Sequence, residues 1–187
     1  DLNNTTGSYN VANGAGALYL NTSGNLNTAT GHEALRGNTA GYSNTANGYR
    51  ALYVNTTGNN NTSSGDSAML SNTTGSSNVA AGFNAMKTNT TGSFNTAVGN
   101  NAFFITNNLN NTTAIGYNAG GIVNASNRIE IGNTSVSTIA GQVAFSVYSD
   151  KRIKDNIKAD VPGLAFISKL RPVTYNLNIH RQNRMHK

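Results

Sequence analysis

Ser149 opens the run SDKRIKDN, with Lys151 and Lys154 close behind it. A serine hydroxyl becomes a nucleophile when a neighbouring base takes its proton. A lysine serves as that base only where desolvation lowers its pKa. Ser149 is therefore the candidate nucleophile of the chain, and Lys154 its candidate helping base. A serine at a strand end that caps a turn fits the same spacing. Other chemistry lacks its residues. His32, His180 and His186 do not have metal-ligand spacing. There is no cysteine, so disulfides and thiolate metal sites are excluded. No Gly-rich phosphate loop and no Ser-His-Asp set stands out. No metal and no cofactor is expected. A hydrolase acting on surface polysaccharide would need a pair of carboxylates in a groove, and residues 1–122 hold only Asp1, Glu33 and Asp66.

Binding residues are better represented. Tyr9, Tyr19, Tyr42, Tyr49, Tyr53 and Phe83 recur at intervals among Asn and Thr. Such rings suit a glycan surface, but packing between coils or chains is the reading favoured for them. The net charge of +6 belongs to the C-terminal part, because Arg36, Arg50 and Lys87 balance the three acids of residues 1–122. A neutral stretch of this length is a poor tracker of phosphate backbones, so no nucleic-acid partner is expected. No apolar run of about 18 residues is present, so no membrane span is expected. Asn-x-Thr triplets such as Asn55-Thr56-Thr57 follow from a repeat and read as side-chain ladders.

That repeat positions everything else. Seven units of 17 residues cover Asn4–Ile122. The first is NTTGSYNVANGAGALYL, the third NTAGYSNTANGYRALYV and the sixth NTTGSFNTAVGNNAFFI; the last, TNNLNNTTAIGYNAGGI, is degenerate. Position 11 is always Gly and position 14 always Ala, while position 4 is Gly, position 7 Asn and position 2 Thr in six of the seven units. Two glycine columns per short period predict two turns per unit, with glycine reaching positive φ without strain. Period-two alternation in NTAVG and NAFFI predicts strands between those turns. Seventeen residues are too few for a helix pair. The fold expected is all-β: a parallel β-solenoid, one coil per unit, with coils about 4.8 Å apart and seven of them spanning about 34 Å. Ala at positions 9 and 14 leaves a narrow interior, and position 15 (Leu18, Leu35, Leu52, Met69, Met86, Phe103) supplies its larger core residues. Asn and Thr columns can form ladders along the stack.

The units TAIGYNAG (Thr113–Gly120) and TAVGNNAF (Thr96–Phe103) resemble the head repeats of trimeric autotransporter adhesins. That resemblance implies a left-handed β-roll in which three chains pack around one axis, although the family's units are shorter than these. After Ile122 the pattern changes. Residues 123–148 read as β-strands that close the shaft or wind three chains together. From Ser149 onward, Asp160 is placed to cap a helix with Pro162 just inside it. Leu164, Ile167 and Leu170 give that helix an apolar face, Pro172 ends it, and VTYNL reads as a strand. The set Ser149, Asp150, Arg152, Lys154 and Ile157, then Leu170, Pro172, Val173 and Tyr175, resembles the opening of the intramolecular chaperone domain of endosialidases and phage tail fibres. The resemblance implies a domain that assembles a trimer and then releases itself by serine-dependent autoproteolysis at its N-terminal boundary, which falls at Ser149. It also implies a longer domain than the residues 149–187 seen here. The chain is accordingly expected to be a piece of a longer parent that begins within a repeat.

The organisation expected is a repeat shaft over 4–122, a connecting β segment over 123–148 and a partial chaperone segment over 149–187. The function expected is a homotrimeric fibre that attaches a phage tail, or a phage-like particle, to a host-surface glycan or receptor and to other fibre or tail proteins. Its place would be extracellular. A bacterial surface adhesin with the same shaft is the first alternative. An ice-binding solenoid is the second, since Thr columns also mark such proteins, but Asn and Gly interrupt the flat Thr-x-Thr face it needs.

Overall fold

The computed structural model describes residues 4–104, 108–121 and 125–139, all within the compact unit Asp1–Ile139. It is a parallel β-solenoid. Eight strands form one sheet in sequence order: β1 Val11–Asn13, β2 Thr28–Thr30, β3 Thr45–Asn47, β4 Thr62–Ser64, β5 Val79–Ala81, β6 Thr96–Val98, β7 Thr112–Ile115 and β8 Arg128–Ile131. From β1 to β7 like positions pair, Ala29 with Ala46 and Ala80 with Ala97, so every coil advances by one 17-residue unit. No helix occurs among the described residues.

β1 to β6 take positions 8–10 and β7 adds position 7; from β2 to β7 the residue at position 9 points inward. Ala29, Ala46, Ala80, Ala97 and Ala114 are fully buried there, as is Ser63. Ser63 satisfies its hydroxyl by donating to the carbonyl of Ala68 at 2.8 Å, which is why one serine is tolerated in an alanine column. The second alanine column and the larger residues of position 15 complete the core, with Leu35, Leu52, Met69, Met86 and Phe103 all fully buried. A coil this thin closes its interior with one large side chain and two small ones.

Asparagine supplies the rest of the interior. At position 1, the Asn38 amide donates to Oδ1 of Asn21 and to the Gly41 carbonyl, and Asn55, Asn72 and Asn89 repeat the pattern. At position 7, the Asn44 amide donates to Asn27 Oδ1 at 3.2 Å and to the Gly58 carbonyl at 2.8 Å, while its backbone N–H donates to the same Asn27 oxygen. Both columns are buried. Buried amides are tolerated because they are paired along the stack and with the backbone; the exception is the Asn89 side-chain oxygen, at the end of the position-1 column, which has no partner among the described residues. The Thr column is laddered too. The carbonyl of Thr39 accepts from the backbone N–H groups of Thr22, Ser23 and Gly24 and from the Thr22 hydroxyl.

Three features depart from the reading of the sequence. NTAVG does contain a strand, but the described part of NAFFI does not. Positions 13 and 15 are left-handed there, as at Arg50 (φ 52), Leu52 (φ 53), Asn101 (φ 53) and Phe103 (φ 59), and alternating left-handed residues make turns where alternation of polarity suggests a strand. The position-4 glycines are not at positive φ; a Cβ on Gly41 would lie 2.4 Å from Asn38 Oδ1 and 2.5 Å from the Gly58 carbonyl. They are glycine so that coils can approach. Position 11 needs both properties, since Gly48 has φ +138 and lies equally close to Gly65. Finally, the stack continues past Ile122. β8 pairs with β7 in a register one residue shorter, Thr112 opposite Arg128 and Ala114 opposite Glu130. Arg128 thus enters the asparagine column and Glu130 the alanine column, where they pair with each other, and Glu130 Oε1 accepts from Gly120 N–H at 2.7 Å. The remainder of the 123–148 segment beyond Ile139, and the helix and strand expected after Asp160, lie outside the described residues.

Candidate functional site

The repeat is nearly uniform inside, so function must be sought where its outer positions depart from it. The main departure is on the second and third coils. Glu33 and Arg50 both occupy position 13, one coil apart, and both are in the left-handed conformation. That backbone geometry turns the two side chains toward each other, and Arg50 Nε reaches Glu33 Oε2 at 2.7 Å. Arg36, one turn on from Glu33, approaches its other oxygen at 3.5 Å. Glu33 is the more covered member, at 18% side-chain exposure against 35% for Arg36 and 41% for Arg50.

Aromatic rings frame the two guanidinium groups. Position 16 is Tyr19, Arg36 and Tyr53 in successive coils, so Arg36 is placed between two tyrosines, its Cζ 5.3 Å from the Tyr19 ring centre and 5.8 Å from that of Tyr53. Arg50 lies 5.0 Å from the Tyr49 ring and 5.3 Å from the Tyr53 ring. His32 stacks on Tyr49 one coil above it, with centroids 5.6 Å apart. Contacts of this kind between a guanidinium and an aromatic face are attractive. The hydrogen bond from Arg50 holds the Glu33 carboxyl below its usual range, and Glu33 raises Arg50 in turn. Glu33 is therefore ionised at neutral pH. The cluster can present fixed cationic edges beside phenol rings, a binding surface and not a centre for acid-base chemistry.

The residues singled out from sequence are distributed as follows. Tyr19, Tyr49 and Tyr53 come together in this cluster. Tyr9, Tyr42 and Phe83 lie exposed elsewhere. His32 joins the cluster, and among the described residues no group of three or more His, Cys, Asp and Glu could hold a metal ion. Ser149, Lys154, His180 and His186 lie outside the described residues. Sequence reasoning did not find Glu33, Arg36 or Arg50. Their signal was present as three charges, all within two successive units, in a stretch otherwise almost free of charge.

Two shallow depressions lie further along. One, about 410 Å³, is lined by Tyr117, Asn118, Gly121, Asn133, Thr134 and Ser135. The other lies beside Arg128 and Ile129. Neither gathers titratable groups. Among the described residues no helix is long and apolar enough to cross a membrane.

Comparison with known proteins bears on the C-terminal segment. The family model described as the chaperone of endosialidase matches residues 149–186. That segment begins at Ser149 and contains Lys154. No curated protein and no solved structure matches the chain.

Proposed function

We propose that the chain is the shaft and chaperone-proximal part of a homotrimeric attachment fibre, carried extracellularly on a virion tail or phage-like particle. The observation that carries this reading is a parallel β-solenoid followed, in one chain, by a segment that matches the chaperone of endosialidase. A stack of near-identical coils invites register errors. A chaperone segment at one end answers that hazard by bringing the copies together before the stack closes.

The outer face of the sheet supports the same reading. In β2–β4 its outward residues are Thr28, Thr30, Thr45, Asn47, Thr62 and Ser64. From β5 onward one outward column turns apolar, Ala81 followed by Val98, Ile115 and Ile131 at 41–46% exposure, while Thr96 and Thr113 stay in the column beside it. Parallel sheets are ordinarily covered on both faces, and a contiguous apolar patch marks an interaction surface. Copies of the same chain, with the same rise per coil, would set these residues against their own counterparts. The apolar face is therefore where the three shafts meet. The second to fourth coils, polar on this face, are left for a host-surface glycan or receptor.

Self-cleavage at Ser149, assisted by Lys154, would separate the shaft from the chaperone after assembly. The full-length parent should have the mass of three chains in solution and should image as a thin fibre on a tail. A monomer mass, or a location on the cell envelope, would overturn the trimer and the virion assignment respectively.

A further inference from the structure

Among the described residues the ion pair around Arg36 and Arg50 has no counterpart at its position in the other coils; only a single cation-ring contact recurs, Lys87 over Phe104 at 5.9 Å. Where Glu33 and Arg50 stand, coils four to six carry Ser67, Asn84 and Asn101, and all keep the same parallel register. The coil thus folds without an ion pair at this place. What stacking does not require is free to serve recognition.

The cluster is prepared for an anion. Arg36 and Arg50 both meet Glu33 through Nε; Arg36 Nη1 also donates to the Tyr53 hydroxyl at 3.4 Å, so Nη2 of Arg36 and both Nη groups of Arg50 are left, on side chains 35% and 41% exposed. Rings on adjacent coils hold the Arg36 guanidinium and rings of its own coil hold that of Arg50, so little side-chain freedom remains to be lost on binding. Two cations face one carboxylate, and the surplus is positive. A planar guanidinium edge matches a carboxylate in a two-point contact. The neighbouring surface offers phenol, amide and hydroxyl groups, the partners that sugar hydroxyls need.

We infer that this cluster is the binding site for a carboxylate-bearing saccharide, with the sugar acid on the Nη edges of Arg36 and Arg50 and its hydroxyls on Tyr49 and Tyr53. The inference rests on the attachment reading, which supplies a saccharide-coated surface. Calorimetry of the full chain with oligogalacturonate and with hyaluronan oligosaccharide tests it, with methyl-esterified oligogalacturonate and polyglutamate as comparisons. At least one carboxylated saccharide should bind saturably, the ester and polyglutamate should not, and added salt should weaken the contact. Arg36→Gln and Arg50→Gln should each weaken binding about tenfold or more, while Lys87→Gln leaves it unchanged. Absence of binding, equal binding of the ester or polyglutamate, or equal affinity of the variants would overturn the site. Adherence of the parent fibre to its target cells separates the two ideas. A fibre that adheres equally well with Arg36→Gln and Arg50→Gln places the receptor contact elsewhere, and a parent that adheres to no cell removes the attachment reading itself.

Discussion

The Asn38 amide donates to the side-chain oxygen of Asn21, one coil away, at 2.7 Å. The same bond is repeated by Asn55 on Asn38 and by Asn72 on Asn55. A buried polar column of this kind stabilises the stack only while every member is paired.

Removal of one member should therefore cost more than its own bonds. Asn55→Ala leaves the Asn38 oxygen without its donor and takes the Asn55 oxygen from the Asn72 amide, while the Gly58 carbonyl keeps only its bond from Asn44. An unpaired buried group costs about 1–3 kcal/mol. Asn55→Asp should be worse at neutral pH, since an ionised carboxylate has no proton to give to either oxygen. Thermal melting checks both, and a melting point equal to that of the parent in either variant would contradict the buried ladder.

The two glycine columns should fail for different reasons. A Cβ at Gly58 meets Asn55 Oδ1 and the Gly75 carbonyl at 2.4 Å, without any demand on φ. Gly48 adds a φ of +138 to a similar clash. Gly58→Ala should lower stability by at least the 1–3 kcal/mol typical of overpacking, and Gly48→Ala by more. Ala51→Leu, in the fully buried alanine column, should cost about 1–3 kcal/mol for crowding alone. Melting of the three variants side by side tests the order.

What the sequence made legible was the part governed by period. Ala51, Leu52 and Asn55 recur every 17 residues, and columns of small, large and amide side chains specify which positions lie inside. The backbone between them was less legible. Leu52 and Met69 are left-handed, with φ of 53 and 48, yet leucine and methionine carry no signal for that conformation. It persists because each is locked by burial and by a bond from its N–H to the next coil, Leu52 to Ala68 at 3.0 Å. The contact of Glu33 with Arg50 depends on the same hidden conformation, so the cluster could not be assembled from spacing alone. Arg128 and Glu130 escaped for another reason, because the step from β7 to β8 is one residue shorter than the others and falls out of the alignment.

The apolar half of the sheet's outer face should decide assembly. Val98→Asn combined with Ile115→Asn removes two β-branched residues from each copy, and burial of such a side chain contributes about 1.5–3 kcal/mol. Both are exposed in the single chain, so the coil itself should stay folded while the trimer dissociates. Thr45→Asn, on the polar half of the same face, should leave the trimer intact. Sedimentation together with circular dichroism reads both properties, and an unchanged trimer in the double variant would remove this face from the interface.

The Glu33–Arg50 contact should leave a mark in acid. The carboxyl of Glu33 is lowered from its ordinary value of 4.5, chiefly by the hydrogen bond from Arg50. A depressed folded-state pKa contributes stability that is fully present above the ordinary value and is lost as pH falls through the lowered one. The effect should be small and screened by salt, because the Arg50 side chain is 41% exposed. Melting of the parent should decline below about pH 4.5 by more than that of Glu33→Gln, in which this titration is absent. Parallel curves for the two proteins would show that the contact does not stabilise the fold.

The last expectation concerns Ser149. On the proposed reading, a chaperone segment that brings three chains together would set the register of a stack whose coils are otherwise interchangeable. Its later removal would leave the shaft without an easy route back through the assembled intermediate, so stability becomes a matter of unfolding rate. Cleavage needs an alkoxide-like serine, and Lys154 can supply the base only if its ammonium is desolvated in the assembled domain. In a parent that carries the whole chaperone domain, Ser149→Ala should abolish the cut and still yield a folded trimer. Lys154→Ala should slow the cut, and Lys154→Arg should not restore it, because a guanidinium stays protonated. Deletion of everything after Ser149 before folding should give misassembled shafts. Denaturing gels and intact-mass measurement over the course of refolding follow all four outcomes. A parent that stays intact after complete folding, with no fragment bounded by Ser149, would make the segment a permanent cap.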